Sequence, residues 1–235
     1  MLAFGDSITN GGGELQWGVA LQSWAHWVAR GLGMPYTGCA VDGATVGDVI
    51  GLQIPAFVER SAAPDARFDV GCLYIGVNDV RALDWDAASF EREFAAALEF
   101  VCARSDRVLA VTAPLNLGRP PAGAKVLELN AAIVRCAAAC GALVLDLSDF
   151  GARNLVMADH VHPTAFGQIA IAERALDVLA GDGMRVAVRP RSLIAFETTR
   201  RGRLRGDLTY VWRRFKVEVK GWVFKARSRL GLGPR

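Results

Sequence analysis

Five short apolar runs, at residues 2–4, 36–41, 70–75, 108–112 and 143–147, alternate with stretches of helical periodicity along this chain. Short apolar runs bounded by Gly, Pro, Asn or Asp read as buried strands. The intervening stretches, at 17–32, from the Gly-rich segment after residue 41 to about 60, at 86–104 and at 124–140, repeat apolar residues every three or four positions. A last helix follows Pro163 and reaches about residue 180, with Pro163 expected at the first helical position, where its fixed φ is tolerated. Strands separated by helices must run parallel, because only a long crossover returns the chain to the same sheet edge. Parallel sheets are buried on both faces. The expected fold is therefore α/β, a three-layer α/β/α sandwich around a five-stranded parallel sheet.

In sheets of this kind, sites lie beyond the carboxyl ends of the strands. Three polar, glycine-bearing loops fall there: Gly5-Asp6-Ser7 after the first run, Asp42-Gly43 after the second, and Gly76-Val77-Asn78-Asp79 after the third. Although 52% of the 235 residues are apolar, no stretch reaches the roughly 18 to 20 uninterrupted apolar residues of a spanning helix. The opening Met1-Leu2-Ala3-Phe4 leads at once into the first loop and carries no signal-peptide pattern, so a cytoplasmic location is expected. Five cysteines, an odd set without CxxC spacing, read as reduced and structural. Cys136 and Cys140 share a helical face, but no further ligands accompany them and no metal is expected there. P-loop, Gly-x-Gly-x-x-Gly and Gly-x-Ser-x-Gly motifs are all absent.

A serine hydroxyl becomes a useful nucleophile when a base takes its proton and a carboxylate fixes that base. The chain has three histidines. His26 sits within an apolar helical pattern and reads as structural. Asp159-His160-Val161-His162-Pro163 sets a carboxylate three residues before a histidine whose following proline disfavours helix at His162, leaving its ring clear of helix packing. Asp159 could then accept from one ring nitrogen while the other faces Ser7. A metal reading of Asp159, His160 and His162 lacks the ligands to complete it.

Taken together, these residues resemble the SGNH hydrolases, the GDSL esterase and lipase family with its flavodoxin-like sheet. Gly5-Asp6-Ser7-Ile8-Thr9 matches the family's first block, Gly43 the second, Gly76-Val77-Asn78-Asp79 the third and Asp159-x-x-His162-Pro163 the last, in order and over roughly residues 2–180. The resemblance implies a serine esterase that cleaves acyl or acetyl esters through an acyl-enzyme, with Ser7, Asp159 and His162 as triad. It implies an oxyanion hole from the Ser7 N–H, the Gly43 N–H and the Asn78 side chain. Each such donor is worth around 3 kcal/mol of barrier. Asp6 and Asp79 read as braces for their loops. One departure falls in the second block, where an asparagine common in the family is Asp42. No cofactor is implied, and the substrate is a small-molecule or lipid acyl ester. The alternative is a non-catalytic adaptor that uses the same fold as a binding module.

The charge of +3 divides unevenly. Beyond Met184 there are 15 Lys and Arg against three acidic residues, while the preceding body has 12 basic and 21 acidic ones. Residues 1–183 are accordingly expected to form the catalytic domain and 184–235 a basic extension. Within it Leu208, Val211, Trp212, Phe215, Val219, Trp222, Ala226 and Leu230 recur at helical spacing, although 215–220 also alternate with period two. Such a tail would dock its apolar face on the body, or meet an anionic membrane surface through Trp212, Trp222, Phe224 and its cations, making the protein peripheral. Nucleic acid is disfavoured, since no binding fold accompanies the charges.

Overall fold

A computed structural model of the chain describes residues 1–16, 19–61, 66–119, 121–194 and 200–229, the last segment without the side chains of 202–203, 220–221 and 223–229. Strand β1 (Leu2–Gly5) leads into α1 (Ser7–Asn10), and α2 (Trp24–Leu32) into β2 (Thr37–Gly38). Next come α3 (Val46–Asp48), a π-helical segment (Val49–Gln53) and α4 (Ile54–Arg60), which together form one continuous helical stretch. Strand β3 (Phe68–Tyr74), α5 (Ala87–Arg104), β4 (Ser105–Val111), α6 (Lys125–Cys140), β5 (Leu143–Leu145) and α7 (Ala165–Gly181) complete the body. All pairings are parallel, in the order β2-β1-β3-β4-β5. Right-handed crossovers then dictate the layers: the connection from β1 to β2 runs opposite to all later ones. Accordingly, α2 packs with α7 and α5 with α6.

The chain reverses direction in the sheet between β1 and β3. Such a switch point opens a crevice outside the carboxyl ends of those two strands. Beneath it Leu2, Phe4, Leu73 and Tyr74 are buried. Phe4 meets Phe57 and Phe100 edge to face, at 5.9 Å each. Gly5 ends β1 where a Cβ would lie 2.5 Å from the Tyr74 carbonyl oxygen, so no other residue fits without moving the sheet.

The strand expected at 36–41 narrows to two ladder residues. Its alternate amides still reach β1, from Thr37, Cys39 and Val41 to the carbonyls of Met1, Ala3 and Gly5. As an edge strand it is half exposed, and it lacks the two-sided burial of β1. Helix α2 starts seven residues later than expected because the Ser23 hydroxyl accepts from the Ala25 amide and caps it there. Trp17, the expected start, lies outside the described residues. Pro163 precedes the helix instead of opening it, since Thr164 is the N-cap and accepts from Gly167.

Beyond α7, Met184 and Val186 pack on the core, and the Ala187 and Val188 amides bond the Gly31 carbonyl. Helix α8 (Arg200–Arg229) then realises the helical reading of the tail, and the period-two alternative is not taken. Its contacts correct one expectation: the face that meets the body is polar. Asp207 pairs with Arg153 at 2.7 Å, Arg153 lies over the Tyr210 ring, and Arg213 pairs with Glu14. The apolar stripe faces away. No described helix is long and apolar enough to cross a membrane.

Candidate active site

Ser7 opens α1 directly beyond β1. Asp6 caps that turn, its side chain accepting from the Ile8 amide at 2.9 Å. Two buried glutamines hold the turn from either side. Gln53, placed by the π-helical segment, accepts from the Gly5 amide and donates to the Gly5 carbonyl at 3.2 and 2.8 Å. Gln168, on α7, donates to the carbonyls of Ile8 and Gly12 at 3.0 Å each while accepting from the Trp24 amide. Both are almost fully buried, and each bonds both backbone amides and carbonyls in and beside the turn.

The last loop brings its histidine to this turn. The Ser7 hydroxyl and His162 Nε2 are 2.9 Å apart, and His162 Nδ1 lies 2.8 Å from Asp159 Oδ2. The other Asp159 oxygen accepts from the amides of Val161 and His162, so the carboxylate is held by three donors. Because an ionised carboxylate only accepts, Nδ1 carries the proton and Nε2 of the neutral ring is free to take one from Ser7. Burial works against the Asp159 charge, yet its bonds to His162 and Val161 keep the carboxyl below the usual range. The same bond raises the His162 imidazole above its ordinary value, outweighing burial.

Around this relay the loops are stitched to one another. Asn10 donates to Asp42 at 2.9 Å, tying the serine turn to the Gly43 loop and giving Asp42 a role as acceptor. Asn78 Nδ2 donates to the Ala44 carbonyl at 2.9 Å, and Asp79 accepts from the Val46 amide at 3.0 Å. Gly43 has φ 77°, a left-handed conformation that glycine adopts without strain, and a Cβ there would meet nothing within 4 Å. Asn78 carries a second N–H on Nδ2, and no described residue accepts from it.

Asp6 and Asp79 are braces in their geometry, as the sequence suggests, but they are not ordinary carboxylates. Burial pushes Asp6 up to about 7 and also raises Asp79. Each keeps one oxygen buried without a hydrogen-bond partner among the described residues. His160 turns away from the relay, its Nε2 3.0 Å from the Arg119 guanidinium, an arrangement opposite to what a cation ligand needs. His26 packs against Tyr36 in α2's outer face. Gln53 and Gln168 escape sequence reasoning because each is a lone polar residue in an otherwise apolar helical pattern. The one available signal was their place at buried positions.

A parallel sheet whose switch point gathers a serine, a histidine and a carboxylate has the form of a serine hydrolase of the α/β class. The chain belongs to the GDSL-like lipase/acylhydrolase family, whose model matches residues 3–169. It is a serine hydrolase acting on ester bonds. Among solved structures it is similar to an acetylxylan esterase from Geobacillus stearothermophilus, with 19% identity, a TM-score of 0.58, and coverage of 76% of this chain and 92% of that one. It is also similar to an α/β hydrolase from the metagenome of Lake Arreo, Spain, with 18% identity, a TM-score of 0.59, and coverage of 76% and 94%. No curated protein sequence matches it.

Proposed function

We propose that the chain hydrolyses carboxylic esters through an acyl-enzyme on Ser7. His162 takes the Ser7 proton as the oxygen attacks the acyl carbon, and Asp159 stabilises the imidazolium that forms. The tetrahedral oxyanion is met by the Ser7 N–H, the Gly43 N–H and the free N–H of Asn78. His162 then returns its proton to the leaving alkoxide. Water repeats the sequence in the second half, releasing the acid and restoring Ser7. The observation that carries this reading is the unbroken relay from Asp159 through His162 to Ser7, at 2.8 and 2.9 Å. An adaptor would have no need for a base so placed.

p-Nitrophenyl esters of increasing chain length, assayed with wild type and Ser7→Ala, test the proposal. Acetyl esters are the first arm, because the acetylxylan esterase to which the fold is similar bears that activity in its name. Turnover that depends on Ser7 supports the mechanism. Wild-type turnover on no ester in the series, or turnover that survives Ser7→Ala, removes it.

A further inference from the structure

Helix α8 is left unexplained by ester hydrolysis. At 100° per residue, Leu204, Leu208, Val211, Trp212, Phe215, Val219 and Trp222 fall within an arc of about 100°, a continuous apolar stripe. These side chains are 44–79% exposed. Of the residues that hold the helix to the body, Tyr210 and Arg213 lie on the opposite side and Asp207 flanks the stripe. An amphipathic helix normally buries its stripe and solvates its charges. Here the orientation is reversed.

The flanks of the stripe say what it suits. Arg205 and Lys216 are exposed along one edge, Arg201 continues the line of the stripe a turn before Leu204, and the other edge carries Arg214 paired to Glu218; Lys216 Nζ sits 5.1 Å over the Trp212 ring, which stacks on Phe215. The region beyond Met184 has 15 cations and three acids. Pairing two copies stripe to stripe would bring these cations together, a like-charge juxtaposition that opposes association. Nucleic acid would use the charges but leave Trp212, Phe215 and Trp222 in water. An anionic lipid surface uses both, since aromatic and aliphatic side chains enter the interface while cations meet headgroup phosphates.

We propose that α8 docks the protein on an anionic bilayer, its apolar stripe lying in the interface and its polar side holding the catalytic body. The helix walls a cleft of about 480 Å³ with Asp207 and Tyr210, opposite Glu14, Gln16, Met157 and Thr164. These four belong to the loops that follow Ser7 and flank His162. A helix is about 10 Å across, so docking would bring the cleft close to the headgroups.

The full chain is tested by flotation with phosphatidylcholine vesicles, with and without phosphatidylglycerol. A variant combining Trp212→Ala, Phe215→Ala and Trp222→Ala is compared with wild type, its fold checked by circular dichroism. Wild type is expected to bind the anionic vesicles at least about tenfold better than neutral ones, the variant to lose that binding, and added salt to weaken it. A second variant, Arg201→Gln with Lys216→Gln, removes only exposed cations and should weaken binding by a smaller factor. Binding that the triple variant retains would overturn the proposal as mere charge attraction. Absent vesicle binding overturns it too, whether the chain is a monomer or a dimer that the triple variant dissolves in sedimentation velocity. None of these readouts depends on Ser7, so they stand or fall apart from the esterase reading.

Discussion

His160 and His162 are separated by one residue, yet the fold shifts their basicities in opposite directions. His162 gives Nδ1–H to Asp159 and is raised by that bond. His160 is lowered, first by burial and then by the charges of Arg119 and Arg214. A guanidinium cannot accept, so His160 Nε2 must, which fixes its proton on Nδ1, an atom with no partner among the described residues. The cause is backbone geometry. His160 has φ 55°, the left-handed region, and is the one described non-glycine residue with positive φ. That single turn of the backbone points successive side chains apart, one into the relay and one toward Arg119. Residue type therefore says little about function here, and partner and direction say most of it.

The comparison breaks most visibly at its catalytic member. His162→Ala should lower kcat on a p-nitrophenyl ester by about 10⁴-fold or more, since the base and the acid of both half-reactions go together. Asp159→Asn should cost about 10³- to 10⁴-fold, because an amide can donate to Nδ1 and so favours the wrong tautomer. It also provides a sign test. His162 works as a base only when neutral, so kcat/KM of the wild type should rise with pH through a midpoint above the ordinary histidine value of about 6.5. Losing the Asp159 bond should move that midpoint down. A midpoint that stays put would mean that the relay does not set the basicity of His162. Asn78→Ala should follow at about 10²- to 10³-fold in kcat, the typical value of one oxyanion donor, with little change in KM.

Much of this site is legible in sequence because its parts are local. Ser7, Gly43 and Asn78 stand in glycine-punctuated turns directly after apolar runs, and a parallel sheet gathers such turns at one edge. Asp159 and His162 need only a short loop to meet. What escapes is nonlocal. Gln53 reaches Gly5 across 48 positions, and Gln168 reaches Ile8 across 160. In sequence, each glutamine stands in an apolar helical pattern, and nothing local names its distant backbone partner. Strand β2 loses most of its predicted length because its position at the sheet edge, which depends on the crossover order, removes half its burial. For α8 the periodicity reveals the stripe but not the direction it faces, which is decided by Glu14 and Arg153 on the body.

Asp6 offers a finer test of the same contrast, since its carboxylate, where ionised, helps to raise His162, while burial, which pushes Asp6 up to about 7, leaves it only partly ionised near neutral pH. Asp6→Asn keeps an oxygen for the Ile8 amide and removes the charge. The kcat/KM midpoint should fall by less than in Asp159→Asn, with kcat on the high-pH plateau nearly unchanged. A collapse of activity at all pH values would instead give Asp6 a direct part in the chemistry. The smallest effect belongs to the other histidine. His160→Asn keeps a residue that tolerates the left-handed conformation, and the position contributes no group to the relay. Its kcat/KM should stay within about twofold of wild type, the scale of substitutions that disturb no special feature, with the pH midpoint unmoved. Because His160 is lowered and His162 raised, His160 titrates on the acid side of His162. A shift of the midpoint on His160→Asn would show that the two rings are coupled through Asp159, and the division between them would have to be redrawn.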